Sequence, residues 1–225
     1  MKYELKQGDN AKTLKQYPDN YFDSIVTDPP YGIEFMGKDW DKHTGAVETW
    51  NECFRVLKPG GHILAFSASR TYHHLATNIE SVGFEIRDQI MWLYGSGFPK
   101  SHNIGKAVDK LQGNERDVVG TLADIHPRYN SPRKRTDKYG DGFAESEVSL
   151  PLTKGNSKWE GWGTALKPAL EPITMARKPF KTSVAENVLK NGVGGINIDG
   201  CRVETKGRFP ANFIHDGSDE VKDLF

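Results

Sequence analysis

Ser24-Ile25-Val26-Thr27-Asp28-Pro29-Pro30-Tyr31 is an apolar run that ends in an acidic residue, two prolines and an aromatic ring. The β-branched stretch 24–27 reads as a buried strand, and the prolines stop it. With Pro at about 5% of residues, the tetrapeptide 28–31 arises by chance in roughly one chain of this length in a thousand, so it is read as a signature and not as an incidental strand end. At the carboxyl end of a parallel strand it lies where open α/β sheets bind ligands. Asp28 and the Pro29 carbonyl are hydrogen-bond acceptors. Pro29 and Pro30 have fixed φ and no N–H, so they hold those carbonyls outward in a stiff, preorganised turn. Tyr31 adds a flat face for stacking on a base taken out of a duplex. The set suits an exocyclic aromatic amine, whose lone pair is delocalised into its ring until acceptors on its N–H groups localise it.

Outward from this stretch the chain alternates. Tyr3 and Leu5 mark a first strand and 23–27 a second. Val47, Trp50, Cys53, Phe54 and Leu57 recur at helical spacing, and Lys58-Pro59-Gly60-Gly61 is read as ending that helix. Residues 62–68 form a third strand; Leu75, Ala76, Ile79 and Val82 stripe a helix closed by Gly83; Phe84, Ile86, Ile90, Trp92 and Tyr94 mark a fourth strand. This order predicts a parallel α/β sheet. A short helix is expected over 103–112, an edge strand over 171–179 because prolines bracket it, a helix behind the capping box Ser183-x-x-Glu186, and a hairpin over 196–203.

On the residues 28–31 the chain resembles the DNA amino-methyltransferases that use S-adenosylmethionine, whose signature is D/N/S-P-P-Y/F/W. Other stretches carry the same resemblance: Gly8-Asp9 with 18–23, the loop 32–41, Arg55-Val56-Leu57-Lys58-Pro59-Gly60-Gly61, and 159–168 leading into 171–179, with 32–41 and 94–101 like phage and prophage members. The resemblance implies a Rossmann-like methyltransferase sheet of α/β class. It also implies S-adenosylmethionine as methyl donor, double-stranded DNA as partner, and methylation of adenine N6. Cytosine N4 is the alternative on the same scaffold, and a catalytically silent DNA-binding fragment is the other reading. Asp28, Pro29, Pro30 and Tyr31 are then catalytic, and Gly8, Asp9 and Asp28 hold the cofactor. Lys38 in the lid-like loop 32–41, with Phe98 and Lys100 in the glycine-rich 94–101, lie on the DNA side. That last stretch is not a P-loop, since its spacing and Lys-Ser context are wrong.

Thirty basic and 30 acidic residues leave no net charge for bulk attraction to nucleic acid, so local patches must act. The best patch runs over 126–138, where Arg128, Arg133, Lys134, Arg135 and Lys138 surround Tyr129 in a proline-containing loop. Three regions follow: a catalytic half over 1–101, an inserted target-recognition region over 102–165, and a returning part over 166–225. The family also has a strand ending in a D-P-F-x-G-S-G-type turn that cradles the cofactor, and the 225 residues hold no such turn. Gly192-Val193-Gly194-Gly195 follows a helix and is no substitute. The expectation is therefore an incomplete sheet with a bare edge at the strand ending in Asp28, from a truncated or interrupted chain, or one covered by a second polypeptide or a homodimer. Two cysteines, Cys53 and Cys201, give neither a disulfide framework nor a zinc spacing, and neither follows a proline as a cytosine C5 methyltransferase nucleophile would. No apolar run approaches a membrane span and 1–4 begins no signal peptide, so the cytoplasm is the expected compartment.

Overall fold

The computed structural model describes residues 3–34, 37, 39–97, 101–121, 124, 151–202 and 207–223. In chain order the elements are α1 (Asn10–Leu14), β1 (Phe22–Thr27), α2 (Val47–Val56), β2 (Leu57–Phe66), α3 (Tyr72–Ser81), β3 (Glu85–Leu93), α4 (Ile104–Gln112), β4 (Asp117–Thr121), β5 (Pro151–Lys154), β6 (Leu170–Arg177), α5 (Val184–Asn191), β7 (Phe213–His215) and α6 (Asp219–Lys222). They fall into two compact units, Met1–Gly97 with Ala169–Phe225, and Phe98–Pro168.

The first unit is built on a five-stranded sheet in the order β1-β2-β6-β3-β7. β1 runs parallel to β2, β6 is antiparallel to both β2 and β3, and β7 is parallel to β3. The sheet is thus mixed, and the all-parallel expectation fails because β6, from 77 residues further along the chain than the end of β3, inserts between β2 and β3. β6 is accordingly a central strand and not the edge that its prolines predicted. Pro172, which has no N–H to give, lies where the β2 ladder has ended at Phe66↔Ile173; its carbonyl instead accepts both the N–H (3.0 Å) and the Oγ (2.9 Å) of buried Ser67.

The apolar stripe of α2 (Trp50, Cys53) and that of α3 (Leu75, Ile79) cover Leu57, Ile63, Ala65 and Ala176 of the sheet, with Phe84 closing the core. Phe54 and Phe84 meet edge to face at 5.1 Å. Arg55 ties the segment before β1 to α2: its guanidinium donates to the carbonyls of Leu14 and Tyr17 and pairs with Asp19 and Glu52.

Lys58-Pro59-Gly60-Gly61 does not close α2 but lies inside β2, as a bulge between the pairs Phe22↔Leu57 and Ser24↔His62. Gly60 takes φ +86°, and a Cβ there would collide with the side-chain amide of Asn187. That amide bridges the carbonyls of Pro59 (3.0 Å) and Val193 (2.7 Å), which locks α5 onto the bulge. The capping box of α5 forms as predicted, with Ser183 and Glu186 each accepting the other's backbone N–H. The hairpin predicted over 196–203 is a 3₁₀ turn, Asp199–Cys201, among its described residues. Asn197 accepts the N–H of Gly200 and Asp199 accepts Arg202 Nε, so local side-chain bonds replace a strand ladder.

Residues 3–9 form no strand, and Tyr3 and Leu5 are exposed. β1 is the edge of the described sheet, with β2 its one neighbour, and Val26 is 67% exposed. The expected first strand has no ladder partner there.

In the second unit, Asn103 caps α4 through the N–H of Lys106, and Gly113 ends it in the left-handed conformation. β4 and β5 make an antiparallel pair. Arg116 joins them to α4 and to Glu160. It pairs with Asp109, which is 1% exposed, donates twice to the Glu160 carboxylate at 2.9 Å, and caps the carbonyl of Thr153.

Candidate active site

The site forms where the carboxyl ends of the parallel neighbours β1 and β2 open into loops. Asp28 follows β1 directly and is exposed, while Pro29, Pro30 and Tyr31 are half-buried. Tyr31 is held along its whole length. Its N–H donates to Oδ1 of Asp41 (2.7 Å), its carbonyl accepts the hydroxyl of Thr71 from the loop after β2 (2.5 Å), and its own hydroxyl reaches Oε2 of Glu171 (3.4 Å). Asp41 is 2% exposed at the end of a 3₁₀ turn, Asp39–Asp41, and also accepts the N–H of Gly32 at 3.1 Å. Gly32 takes φ +67°, so a residue with a Cβ would be strained in this tight return. The rigidity expected of a proline turn is therefore completed by a buried carboxylate ten residues further on.

Glu171 on β6 lies opposite Trp92 of β3 in the ladder. Burial raises its carboxyl above the usual range and the charge of Asp28 pushes the same way, while hydrogen bonds from Tyr31 and Tyr94 pull down. Tyr31 is shifted strongly upward by burial, by its hydrogen bond to Asp28 and by the charges of Glu171 and Asp28. Its hydroxyl is a neutral donor at any physiological pH. Two carboxylates and two phenols, Asp28, Glu171, Tyr31 and Tyr94, thus act on one another beside the proline turn.

Beside β1 lies a cleft of about 530 Å³, within the range of small-molecule sites, lined by Gly8, Asn10, Thr27, Pro29, Pro30 and Trp50 among others. The Trp50 ring is 1% exposed, and its Nε1–H has no hydrogen-bond partner among the described residues. An orphaned buried donor in the wall of a cleft is a place for a ligand acceptor. Asp9 stands at the same end as the N-cap of α1, where its carboxylate accepts the N–H of Lys12 (2.9 Å). Burial pushes the Cys53 thiol, in the same cleft, up to about 11, which leaves it unsuited to act as a nucleophile.

Residues 22–191 match the model of the N6_N4_Mtase family, DNA methylase. The chain belongs to this DNA methylase family. The methylase is 23% identical over 239 residues to the Type II methyltransferase M.HindIII of Haemophilus influenzae, a match that covers 86% of this chain and 64% of that protein. It therefore spans less than two thirds of that relative's length. Among solved structures it resembles the PvuII DNA methyltransferase (cytosine-N4-specific), with a TM-score of 0.42 and 13% identity over 92% of this chain and 55% of that one. It also resembles an M1.HpyAVI–SAM complex, with a TM-score of 0.37 and 16% identity over 79% of this chain and 56% of that one.

Of the residues singled out in the methylase sequence, Gly8, Pro29 and Pro30 line the cleft beside β1, Asp28 and Tyr31 flank the two prolines in the chain, and Asp9 serves as the N-cap of α1. Lys38, Phe98, Lys100, Arg128, Arg133, Lys134 and Arg135 lie outside the described residues, as do Phe35 and Met36. Asn10, Asp41, Trp50, Thr71, Tyr94 and Glu171 belong to the site but were not picked out as such from the sequence. The stretch 171–179 already carried the family resemblance, but that Glu171 faces Asp28 follows only from the insertion of β6.

Proposed function

We propose that this methylase transfers a methyl group from S-adenosylmethionine to the exocyclic N6 of adenine in double-stranded DNA. The observation that supports this most is the acceptor set at the end of β1: an exposed carboxylate, Asp28, on a proline turn whose aromatic residue is fixed at its N–H, carbonyl and hydroxyl. The side chain of Asp28 accepts one N–H of a flipped-out base amine and the Pro29 carbonyl accepts the other. Together they draw the lone pair out of the ring and aim it along one direction. Tyr31 stacks on the base, and its anchoring removes the conformational freedom that stacking would otherwise have to freeze. An Asp rather than a Ser at the first signature position favours adenine over cytosine.

The residues of the cleft beside β1 fit the cofactor. Gly8, Asn10 and Trp50 would hold it next to Pro29 and Pro30, with the free indole N–H as a donor. When bound, it supplies an electrophilic methyl group on a sulfonium centre. The buried, protonated Cys53 takes no part; in this reading the base amine attacks the methyl group directly, with no covalent bond between enzyme and substrate.

Transfer of labelled methyl to unmethylated DNA, followed by nucleoside analysis, tests the reading. Label in N6-methyladenine is expected; label in N4-methylcytosine would move the substrate to cytosine on the same chemistry.

A further inference from the structure

We propose that Glu171 is the proton-accepting end of the target-base pocket, taking by way of the Tyr31 hydroxyl the proton that Asp28 collects when the amine is methylated. The inference rests on the methyltransferase reading above and adds a residue and a step to it.

The need for such a group follows from the proton balance. A neutral amine that gains a methyl cation carries one proton more than its neutral product. The nearest acceptor is the carboxylate that already receives the amine N–H, Asp28. Once protonated, Asp28 no longer localises a lone pair, so the site is reset only when that proton moves on. Asp28 is exposed and can release it to water, but the Tyr31 hydroxyl offers a route inside the site.

The geometry supplies that route. The Tyr31 hydroxyl lies 3.4 Å from Oε2 of Glu171, and Asp28 is close enough to act on the same hydroxyl. A phenol has one proton to give, so it donates to one carboxylate while accepting from the other. When Asp28 holds the extra proton, it donates to the Tyr31 oxygen and the Tyr31 proton goes to Glu171. One O–H bond breaks and one forms at Tyr31, which ends neutral. Asp28 returns to its carboxylate and Glu171 becomes a carboxylic acid. The titratable groups that face Glu171 are Tyr31 and Asp28 from the loop after β1 and Tyr94 from the end of β3, and burial with the Asp28 charge outweighs the two phenol hydrogen bonds, so this carboxylate takes up a proton more readily than an ordinary glutamate. The shared tyrosine makes the two carboxyl groups a coupled pair.

The direct test follows the titration of the glutamate side chains by ¹³C NMR in the full chain, with Glu171→Gln to assign the signal. Glu171 is expected to titrate above the other glutamates; Asp28→Asn is expected to bring its midpoint down by removing a like charge, and Tyr31→Phe to push it up by removing a hydrogen bond that favours the carboxylate. A Glu171 midpoint that neither variant moves would overturn the coupling. The second arm is the pH dependence of methyl transfer. The wild type is expected to lose rate on the acid side as Glu171 becomes protonated beforehand, and Glu171→Gln to lack that limb while running about 10²-fold slower at neutral pH. An unaltered acid limb in Glu171→Gln would overturn the relay while leaving the methyltransferase standing. A wild-type chain that moves no methyl but shows the coupled titration would overturn the methyltransferase reading and support the carboxyl pair.

Discussion

The backbone N–H of Tyr31 donates to the buried carboxylate of Asp41 at 2.7 Å, and Gly32 adds a second N–H at 3.1 Å. A turn of two prolines needs this partner, because Pro29 and Pro30 contribute no N–H of their own to hold the chain. Asp41→Ala leaves two donors without their acceptor and is expected to cost about 1–3 kcal/mol of stability. By loosening Tyr31 it is also expected to slow methyl transfer roughly 10²-fold with little change in cofactor affinity. Urea denaturation, transfer kinetics and cofactor titration read the three quantities.

The core prediction concerns Phe84, buried against Phe54 at 5.1 Å. Phe84→Ala removes a large ring from the contact between α2, α3 and the sheet, and the site is expected to collapse only in part. A loss of about 3–5 kcal/mol is expected, read as a lowered urea midpoint with an unchanged slope.

In the second unit, Arg116→Met strands the carboxylate of Asp109 in a buried position. The unit 98–168 is expected to become the first part of the chain cut in limited proteolysis. Adding Asp109→Leu to Arg116→Met is expected to restore resistance, since removing both partners of a buried pair costs less than removing one. Continued sensitivity of the double variant would show that Arg116 acts mainly through Glu160 and Thr153.

His62 carries a pH prediction. Burial, then the charges of Arg177 and Arg87, lower its pKa from the ordinary value of 6.5. The folded chain therefore resists a proton that the unfolded chain accepts, so stability is full above about pH 6.5 and declines as the pH falls below it. His62→Gln is expected to flatten that decline, measured as melting temperature between pH 7.5 and 5.

Much of this was legible in the residues. The strand before Asp28, the stripes of α2 and α3, and the Ser183 and Glu186 box depend on neighbours within a few positions, and local pattern reports them well, although the strand expected to be buried lies at the sheet edge with Val26 exposed. Where the reading failed, a distant partner decided. Pro172 looks like an edge residue until Ser67 accepts the task of meeting its carbonyl, 105 residues away in sequence. Lys58-Pro59-Gly60-Gly61 looks like a helix stop until Asn187 binds the bulge it makes. Glu171 belongs to the site only because β6 crosses between β2 and β3, which brings it to Tyr31 across 140 positions. Tyr3 and Leu5 have strand-forming side chains but no ladder beside them.

The most direct test of the central claim compares methyl transfer to unmethylated DNA by the wild-type chain and by Asp28→Ala, at saturating S-adenosylmethionine. Transfer by the wild type that Asp28→Ala reduces to background, with the fold intact by circular dichroism, is the expected result. Asp28→Ala transferring methyl at the wild-type rate would contradict the assignment of the amine to this carboxylate.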